Sequence, residues 1–179
     1  MKLLAISGSL RAASLNTCVL HAARRLAPSG VEIELFEAID QLPFFNSDLE
    51  SGQLPEQVVR FRAAIAAADG LLISSPEYAR GVSGVMKNAL DWLVGSEDFP
   101  GKPVALINTS PRAIHALAAL TLTLETMSAR LIRDASITLP LLGTVHDADS
   151  IAADPELASL LRNTLECFIR GINAQHSSA

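Results

Sequence analysis

Three short runs of continuous apolar residues constrain the fold of this chain more than any other feature. They cover residues 3–6, 70–73 and 104–107, and polar or turn-forming residues bound each run. A strand that is apolar at every position is typical of a parallel sheet covered on both faces. An alternating run at 32–36 predicts a strand nearer the sheet edge, and residues 135–139 predict a weaker fifth strand.

Helical patterns separate these strands along the chain. The alternation of strand and helix predicts one α/β domain over residues 1–179, with a five-stranded parallel sheet and helices on both faces. Ligands of such sheets bind beyond the carboxyl ends of the strands, so function is expected in the loops after Ile6, Ile73 and Ile107. Apolar residues spaced by three or four positions predict helices that begin near Ser14, Pro55, Val82, Ile114 and Asp154.

The composition excludes several classes of protein. Apolar residues make up 49% of the chain, which excludes a chain kept disordered by its charge. The net charge is −5 and no block of basic residues occurs, so a nucleic-acid partner is not expected. Cys18 and Cys167 are too few and too far apart for a disulfide framework or a metal site. No apolar run approaches the roughly 18 residues of a membrane span, and we therefore expect a cytoplasmic protein.

The loop after the first strand has the chemistry of a phosphate site. Residues 7–17 combine serine hydroxyls, the Arg11 guanidinium and the backbone N–H groups of a helix N-terminus, which favour an anion. The loop lacks both G-x-x-x-x-G-K-[ST] and G-x-G-x-x-G, which argues against a P-loop NTPase and a dinucleotide fingerprint. An ordinary strand-to-helix connection with Ser14 as the helix cap is the alternative that the residues leave open.

The loop after the third strand suits a flat ring. Pro76 rigidifies the backbone, and Gly81 permits a close approach to a ligand. Tyr78 offers an aromatic surface with a polar end. Backbone N–H groups between Glu77 and Gly81 are suited to bind ring carbonyl oxygens and to stabilise negative charge there.

The two loops together resemble the signatures of the NAD(P)H-dependent FMN reductase family, which includes quinone, azo-dye and chromate reductases. The first loop reads G-S-L-R-x-x-S-x-N from Gly8, and the second reads S-P-E-Y from Ser75, followed by G-x-x-K-N-A-L-D-W from Gly84. The resemblance implies a flavodoxin-like three-layer sandwich that binds FMN and takes hydride from NADPH or NADH. The implied second substrate is a small-molecule electron acceptor: a quinone, an azo or nitro compound, a metal oxyanion or free flavin.

The resemblance also implies a set of cofactor-binding residues. The first loop is expected to hold the FMN phosphate and the second to lie against the isoalloxazine ring. Because hydride transfer is the chemistry of the flavin, no catalytic acid or base is predicted. The implied cofactor-binding residues are Ser9, Arg11, Ser14, Leu15, Asn16, Thr17, Pro76, Glu77, Tyr78, Ala79, Arg80, Gly81 and Ser110.

The loop after the fourth predicted strand departs from the family pattern. The family often has a glycine-rich loop at this place, whereas residues 108–115 contain no glycine. Ser110 and Arg112 are looser candidates for contact with the ring edge or the nucleotide. His115 is as readily a surface residue as a proton donor.

Two further segments have two interpretations each. Phe44 and Phe45 either border the flavin pocket of a neighbouring subunit or anchor their own long loop. Lys87, Asn88 and Asp91 form either a solvated helix face with a lysine–aspartate pair or a dimer contact that also supports the loop. The resemblance implies a homodimer or a homotetramer.

Two rival functions remain at this stage. Cys18 and Arg24 satisfy the phosphatase pattern C-x5-R, but both lie within one predicted helix and on different faces of it. A reactive Cys18 of low pKa would favour that rival. The second rival is a non-catalytic FMN or nucleotide binder or an electron carrier, which would bind FMN without oxidising NAD(P)H.

Overall fold

A parallel sheet lies at the centre of the computed structural model, which describes residues 1–141 and 147–176. The continuous apolar runs predicted as strands form its middle, and they are buried along almost their whole length. The strands are β1 (Lys2–Ser7), β2 (Glu32–Leu35), β3 (Gly70–Ser74), β4 (Glu77–Tyr78), β5 (Gly81–Val82), β6 (Pro103–Asn108), β7 (Arg130–Leu131) and β8 (Ile137–Thr138).

Helices connect the strands, and side-chain caps fix where several of them begin. The Ser14 hydroxyl accepts from the Thr17 N–H, and the Ser83 hydroxyl accepts from the Met86 N–H. The helices are α1 (Leu15–Arg25), α2 (Ser47–Ser51), α3 (Glu56–Ala67), α4 (Gly84–Asp91), α5 (Ile114–Thr126), α6 (Ala148–Ala153) and α7 (Pro155–His176).

The strand order is β2-β1-β3-β6, with β7 and β8 pairing one after the other along the outer edge of β6. All these pairs are parallel, which confirms the predicted fold class. Of the fifth strand predicted at 135–139, only β8 forms; β7 lies before that range and was not predicted, and a 3-10 turn at Arg133–Ala135 separates the two. There the Leu106 N–H donates to the Ser136 hydroxyl at 3.1 Å, so a side chain replaces the backbone partner where the ladder is interrupted.

Alternate residues of each strand enter two separate cores. Leu4 and Ile6 face one core with residues of α3, α4 and α5, whereas Leu3 and Ala5 face the other with α1, α6 and α7. The chain thus forms the three-layer sandwich that the sequence predicts.

Two boundaries differ from the sequence prediction. The third predicted helix starts at Gly84 rather than Val82, because Val82 belongs to a short antiparallel hairpin of β4 and β5. The long irregular stretch at 41–54 contains the short helix α2, whose cap is the Asn46 side chain.

Candidate functional site

A cleft of about 330 Å³ opens at the carboxyl ends of β1, β3 and β6. The strand order reverses between β1 and β3, so the cleft lies where ligands bind in sheets of this kind. The residues that line it are Ser9, Arg11, Ala13, Ser14, Leu15, Asn16, Ser75, Pro76, Glu77, Tyr78, Asn108, Thr109, Ser110, Arg112 and Ala113.

The loop between β1 and α1 forms one wall of this cleft. The Ser9 hydroxyl accepts from the Arg11 N–H at 3.4 Å, and the Ser7 hydroxyl accepts from the Ser9 N–H at 3.3 Å, so the loop is folded on its own side chains. The N–H groups of Leu15 and Asn16 begin α1 and have no acceptor within the helix. The wall therefore presents hydroxyls and helix N–H groups, which are donors suited to a phosphate.

The cleft carries positive charge although the chain as a whole is acidic. Arg11 and Arg112 line it with exposed side chains, and neither forms an ion pair with any residue that the structure describes. Among the described residues that line the cleft, Glu77 is the single carboxylate, and backbone N–H groups of α5 already engage it. The arrangement leaves two guanidinium groups for an anionic ligand.

The Asn16 side chain forms hydrogen bonds with two strand ends at the base of the cleft. Its side chain is buried, and its amide oxygen accepts from the Ser74 hydroxyl at 2.9 Å and from the Thr109 hydroxyl at 3.3 Å. The bonds join the start of α1 to the ends of β3 and β6. Because the amide oxygen is occupied, a ligand would meet the other groups of Asn16, including its backbone N–H.

Close backbone approach makes Gly8 necessary at the end of β1. The Gly8 N–H donates to the Ser74 carbonyl at 2.8 Å. A Cβ atom at this position would lie 2.3 Å from the Ser75 Oγ and 2.9 Å from the Ser83 Oγ. Any side chain at this position would push the first loop away from the loop that follows β3.

The β4–β5 hairpin forms the opposite wall. Its turn residues Ala79 and Arg80 have φ angles of 48° and 60°, the left-handed backbone that a two-residue hairpin turn requires. Asparagine and glycine are the residues usually found in such turns. Residues with other side chains adopt this backbone only where the surrounding structure holds it.

The structure brings together nine of the predicted site residues in the cleft: Ser9, Arg11, Ser14, Leu15, Asn16, Pro76, Glu77, Tyr78 and Ser110. Thr17 lies instead in a depression on the other side of the first loop, where its hydroxyl is 2.8 Å from the Ser7 hydroxyl. Ala79, Arg80 and Gly81 form the hairpin turn and do not line the cleft.

Sequence reasoning missed several residues that line the cleft. Asn108 and Thr109 follow a fully buried strand directly, so a polar pair at that place was a usable signal. Ser75 begins the S-P-E-Y motif and was also a usable signal, whereas Ala13 and Ala113 line the cleft through their position in the loops, which no local pattern marks.

A larger groove of about 720 Å³ adjoins the cleft and shares Arg11 and Tyr78 with it. Apolar side chains line most of it, and Phe44 at its rim is 88% exposed. The groove extends along the segment of residues 42–45 and the first turn of α4.

Asn88 of α4 and Trp92, which caps the end of that helix, hold the segment in place. The Asn88 side chain accepts from the Phe45 N–H at 2.8 Å and donates to the Pro43 carbonyl at 3.0 Å. The Trp92 indole N–H donates to the same carbonyl at 2.7 Å, and the Phe45 ring packs edge-on against Trp92. Asn88 thus supports the segment 42–45, whereas the prediction concerned the loop after β3; the Lys87–Asp91 ion pair is present at 2.5 Å.

A scan against family models matches residues 1–140 to the NADPH-dependent FMN reductase model. The match includes both loops of the cleft and the sheet that carries them.

The chain belongs to the NADPH-dependent FMN reductase family.

Curated members of this family align with the chain at substantial identity. An NAD(P)H-dependent FMN reductase of Pseudomonas aeruginosa is 44% identical over 112 residues, 62% of this chain and 60% of that protein. A 2-hydroxy-1,4-benzoquinone reductase of a Burkholderia species is 44% identical over 122 residues, 66% of both chains. The chain thus matches these curated relatives over slightly less than two thirds of their length.

A solved structure agrees over nearly the whole chain. The flavoenzyme NAD(P)H:(acceptor) oxidoreductase FerB of Paracoccus denitrificans superposes with a TM-score of 0.79 at 31% identity, covering 97% of each chain. The agreement confirms both the predicted family and the predicted flavodoxin-like fold.

The phosphatase rival finds no support in this member of the FMN reductase family. Burial raises the pKa of the Cys18 thiol, and the nearby Asp147 carboxylate raises it further. A nucleophilic cysteine needs a lowered pKa, and Cys18 does not line the cleft.

Neither a membrane-spanning helix nor a metal-binding cluster occurs within the described ranges 1–141 and 147–176. No helix within them is long and apolar enough to cross a bilayer. No group of three or more histidine, cysteine or acidic side chains within them is arranged to hold a metal ion.

Proposed function

We propose that this chain is an NAD(P)H-dependent oxidoreductase that binds FMN in the cleft and reduces a quinone. The positive charge of the cleft carries the proposal. Two arginines without an ion pair in the described chain, the N-terminus of α1 and a serine-rich loop converge on one cleft of an otherwise acidic protein. A dianionic phosphate is the ligand that such a donor set fits.

The residues present fit FMN on both sides of the cleft. Ser9, Arg11 and the N–H groups of Leu15 and Asn16 would hold the phosphate. The close contact at Gly8 keeps this loop near the second wall, so one ligand of nucleotide size reaches both.

The second wall would hold the ring. Pro76 and Tyr78 offer flat apolar surface, and Ser110 offers a hydroxyl and backbone groups at the ring edge. Bound FMN supplies hydride chemistry between a nicotinamide and a second acceptor. The protein's part is to bind, to orient and to hold positive charge near the site, and no acid–base residue is assigned.

A quinone is the acceptor that we favour among the candidates. The aligned Burkholderia protein carries the name of a benzoquinone reductase, and quinone reductases of Pseudomonas putida are 40–41% identical over 119 residues. The apolar groove next to the cleft is chemically suited to a planar apolar ring.

The test is NADPH and NADH oxidation with benzoquinone, by the FMN-loaded protein and its Arg11→Ala variant. Losing a charge-assisted hydrogen bond to phosphate costs about 1.5–3 kcal/mol, so FMN binding should weaken roughly 10- to 150-fold. Arg162→Ala is the matched control, because Arg162 is exposed on α7, away from the cleft, and forms no ion pair with the described residues.

The outcomes separate the proposal from its rivals. Bound FMN with turnover that falls in Arg11→Ala and persists in Arg162→Ala supports the reductase. FMN binding without NAD(P)H oxidation would favour a carrier, and no FMN binding at micromolar concentration would overturn the proposal.

We further propose that the chain forms a homodimer or homotetramer in which a second copy packs on the exposed rim of the apolar groove at Phe44. Phe44, Leu10 and Tyr78 are 88%, 58% and 51% exposed around this groove, an unusual concentration of large exposed side chains. Light scattering of the parent and of Phe44→Asp tests this proposal. A monomeric parent would contradict it, as would an assembly that Phe44→Asp leaves unchanged.

A further inference from the structure

Helix α5 begins without a cap of its own. Its N-cap residue is Ala113, which has no side-chain acceptor, and no acidic residue occurs in its first turn. A helix start in this position has N–H groups that need an acceptor from elsewhere.

Glu77 supplies that acceptor from a distant part of the chain. One oxygen of its carboxylate accepts from the N–H groups of His115 and Ala116, both at 2.9 Å. These are the second and third residues of α5, the N–H groups that an N-cap side chain ordinarily satisfies. The negative charge also lies where the helix dipole favours it.

The two hydrogen bonds connect the β4–β5 hairpin to the start of α5, just after the loop of residues 110–113. Glu77 begins the β4–β5 hairpin, and residues 110–113 lead directly into α5. Both segments line the cleft. The Glu77 carboxylate therefore joins the hairpin to the first turn of α5 by two hydrogen bonds.

The hairpin needs an external attachment. Each of its strands has two residues, and such a small hairpin is marginal by itself. Its turn residues Ala79 and Arg80 both have the left-handed backbone that side chains disfavour. Packing on α5 and the Glu77 bonds hold it in place.

We propose that Glu77 is a positioning residue, whose carboxylate caps α5 and thereby fixes the β4–β5 hairpin against the start of that helix. FMN affinity then depends on a bond that touches neither the phosphate nor the ring. The inference rests on the proposed function for its effect on FMN, whereas the joint between hairpin and helix is tested without the cofactor.

The first measurement is amide hydrogen exchange on protein freed of FMN. In Glu77→Ala, exchange is expected to quicken together in the first turn of α5 and in residues 77–82, and to stay as in the parent in α7. Glu77→Gln keeps an oxygen acceptor and should show a smaller change. If exchange is unchanged in both segments of Glu77→Ala, the proposed link between the hairpin and α5 is wrong, whether or not the parent binds FMN.

The second measurement is FMN affinity. Loss of a helix cap of about 1 kcal/mol corresponds to roughly fivefold weaker binding for Glu77→Ala, with Glu77→Gln closer to the parent. A parent that binds FMN and a Glu77→Ala variant of equal affinity would overturn the positioning role. A parent that fails to bind FMN would instead defeat the proposed function.

A third variant separates positioning from simple helix capping. Ala113→Ser places a capping hydroxyl on α5 itself without reconnecting the hairpin. In the Glu77→Ala background it should restore thermal stability but leave FMN binding weaker than in Ala113→Ser alone. Full recovery of FMN affinity in the double variant would show that Glu77 acts as a helix cap only, and would overturn the proposal.

Discussion

Gly8→Ala tests the close contact on which the two walls of the cleft depend. The new Cβ would lie 2.3 Å from the Ser75 Oγ, 2.8 Å from the Ser75 Cβ and 2.9 Å from the Ser83 Oγ. Distances under 3 Å force a movement, and an inserted methyl group in a packed site costs about 1–3 kcal/mol. For a chain of this length that corresponds to a fall in Tm of roughly 2–12 °C.

The assay is thermal unfolding with and without excess FMN, together with FMN titration. The same substitution at Gly84 is the control, since a Cβ there would meet nothing within 4 Å and would favour the helix. Gly84→Ala should therefore keep or slightly raise the Tm, opposite in sign to Gly8→Ala.

A double variant shows whether the contact itself is the cause. Ser75→Gly removes the two closest atoms. The double variant Gly8→Ala with Ser75→Gly should therefore lose less free energy of unfolding than the sum of the losses in the two single variants. Gly8→Ala with the Tm and FMN affinity of the parent would refute the reasoning, as would strict additivity in the double variant.

Three further predictions concern the surroundings of the cleft. Asn88→Ala leaves backbone groups of the segment 42–45 without their partner, so the urea midpoint should fall by the equivalent of about 1–3 kcal/mol in one cooperative transition. An unchanged midpoint would show that the Asn88 bonds do not stabilise this segment. Cys18→Ser should keep the activity of the parent, and Cys18 should react slowly with thiol reagents at neutral pH, because its pKa is raised; rapid reaction would contradict this. Burial, with the charge of Arg24, lowers the pKa of His21 below 6.5, so the unfolded state binds the proton more readily. The contribution of His21 to the free energy of unfolding is therefore complete above pH 6.5 and is lost as pH falls through the pKa of His21 in the folded state. In His21→Gln, the fall of the free energy of unfolding toward acid pH should be smaller than in the parent.

The sequence predicted the sheet well where burial decides the structure. The runs at 3–6, 70–73 and 104–107 are apolar throughout because both faces of these strands are covered, and turn-forming or polar residues bound each run. The edge was harder to predict, since at 135–139 a 3-10 turn and the Ser136 hydroxyl replace part of the ladder. Val82 was assigned to a helix because its apolar side chain continued the stripe of α4 into the hairpin.

The sequence predicts the loops of the candidate site but not the long-range hydrogen bonds that connect them. Arg11 and Pro76 belong to local motifs, and both line the cleft. The bonds of Glu77 to α5 span 38 and 39 residues, and those of Asn16 to β3 and β6 span 58 and 93, so no local pattern marks them. Thr17 directly follows the motif that contains Arg11, but its hydroxyl faces the other side of the loop.

A comparison of FMN with riboflavin shows whether the loop of residues 7–17 holds the phosphate of FMN. Riboflavin has the same ring and lacks the phosphate. We predict that the parent and Arg162→Ala bind FMN at least about tenfold more tightly than riboflavin, and that Arg11→Ala loses most of this preference. Equal affinity of the parent for the two flavins would contradict the account, and so would a preference for FMN that survives Arg11→Ala intact.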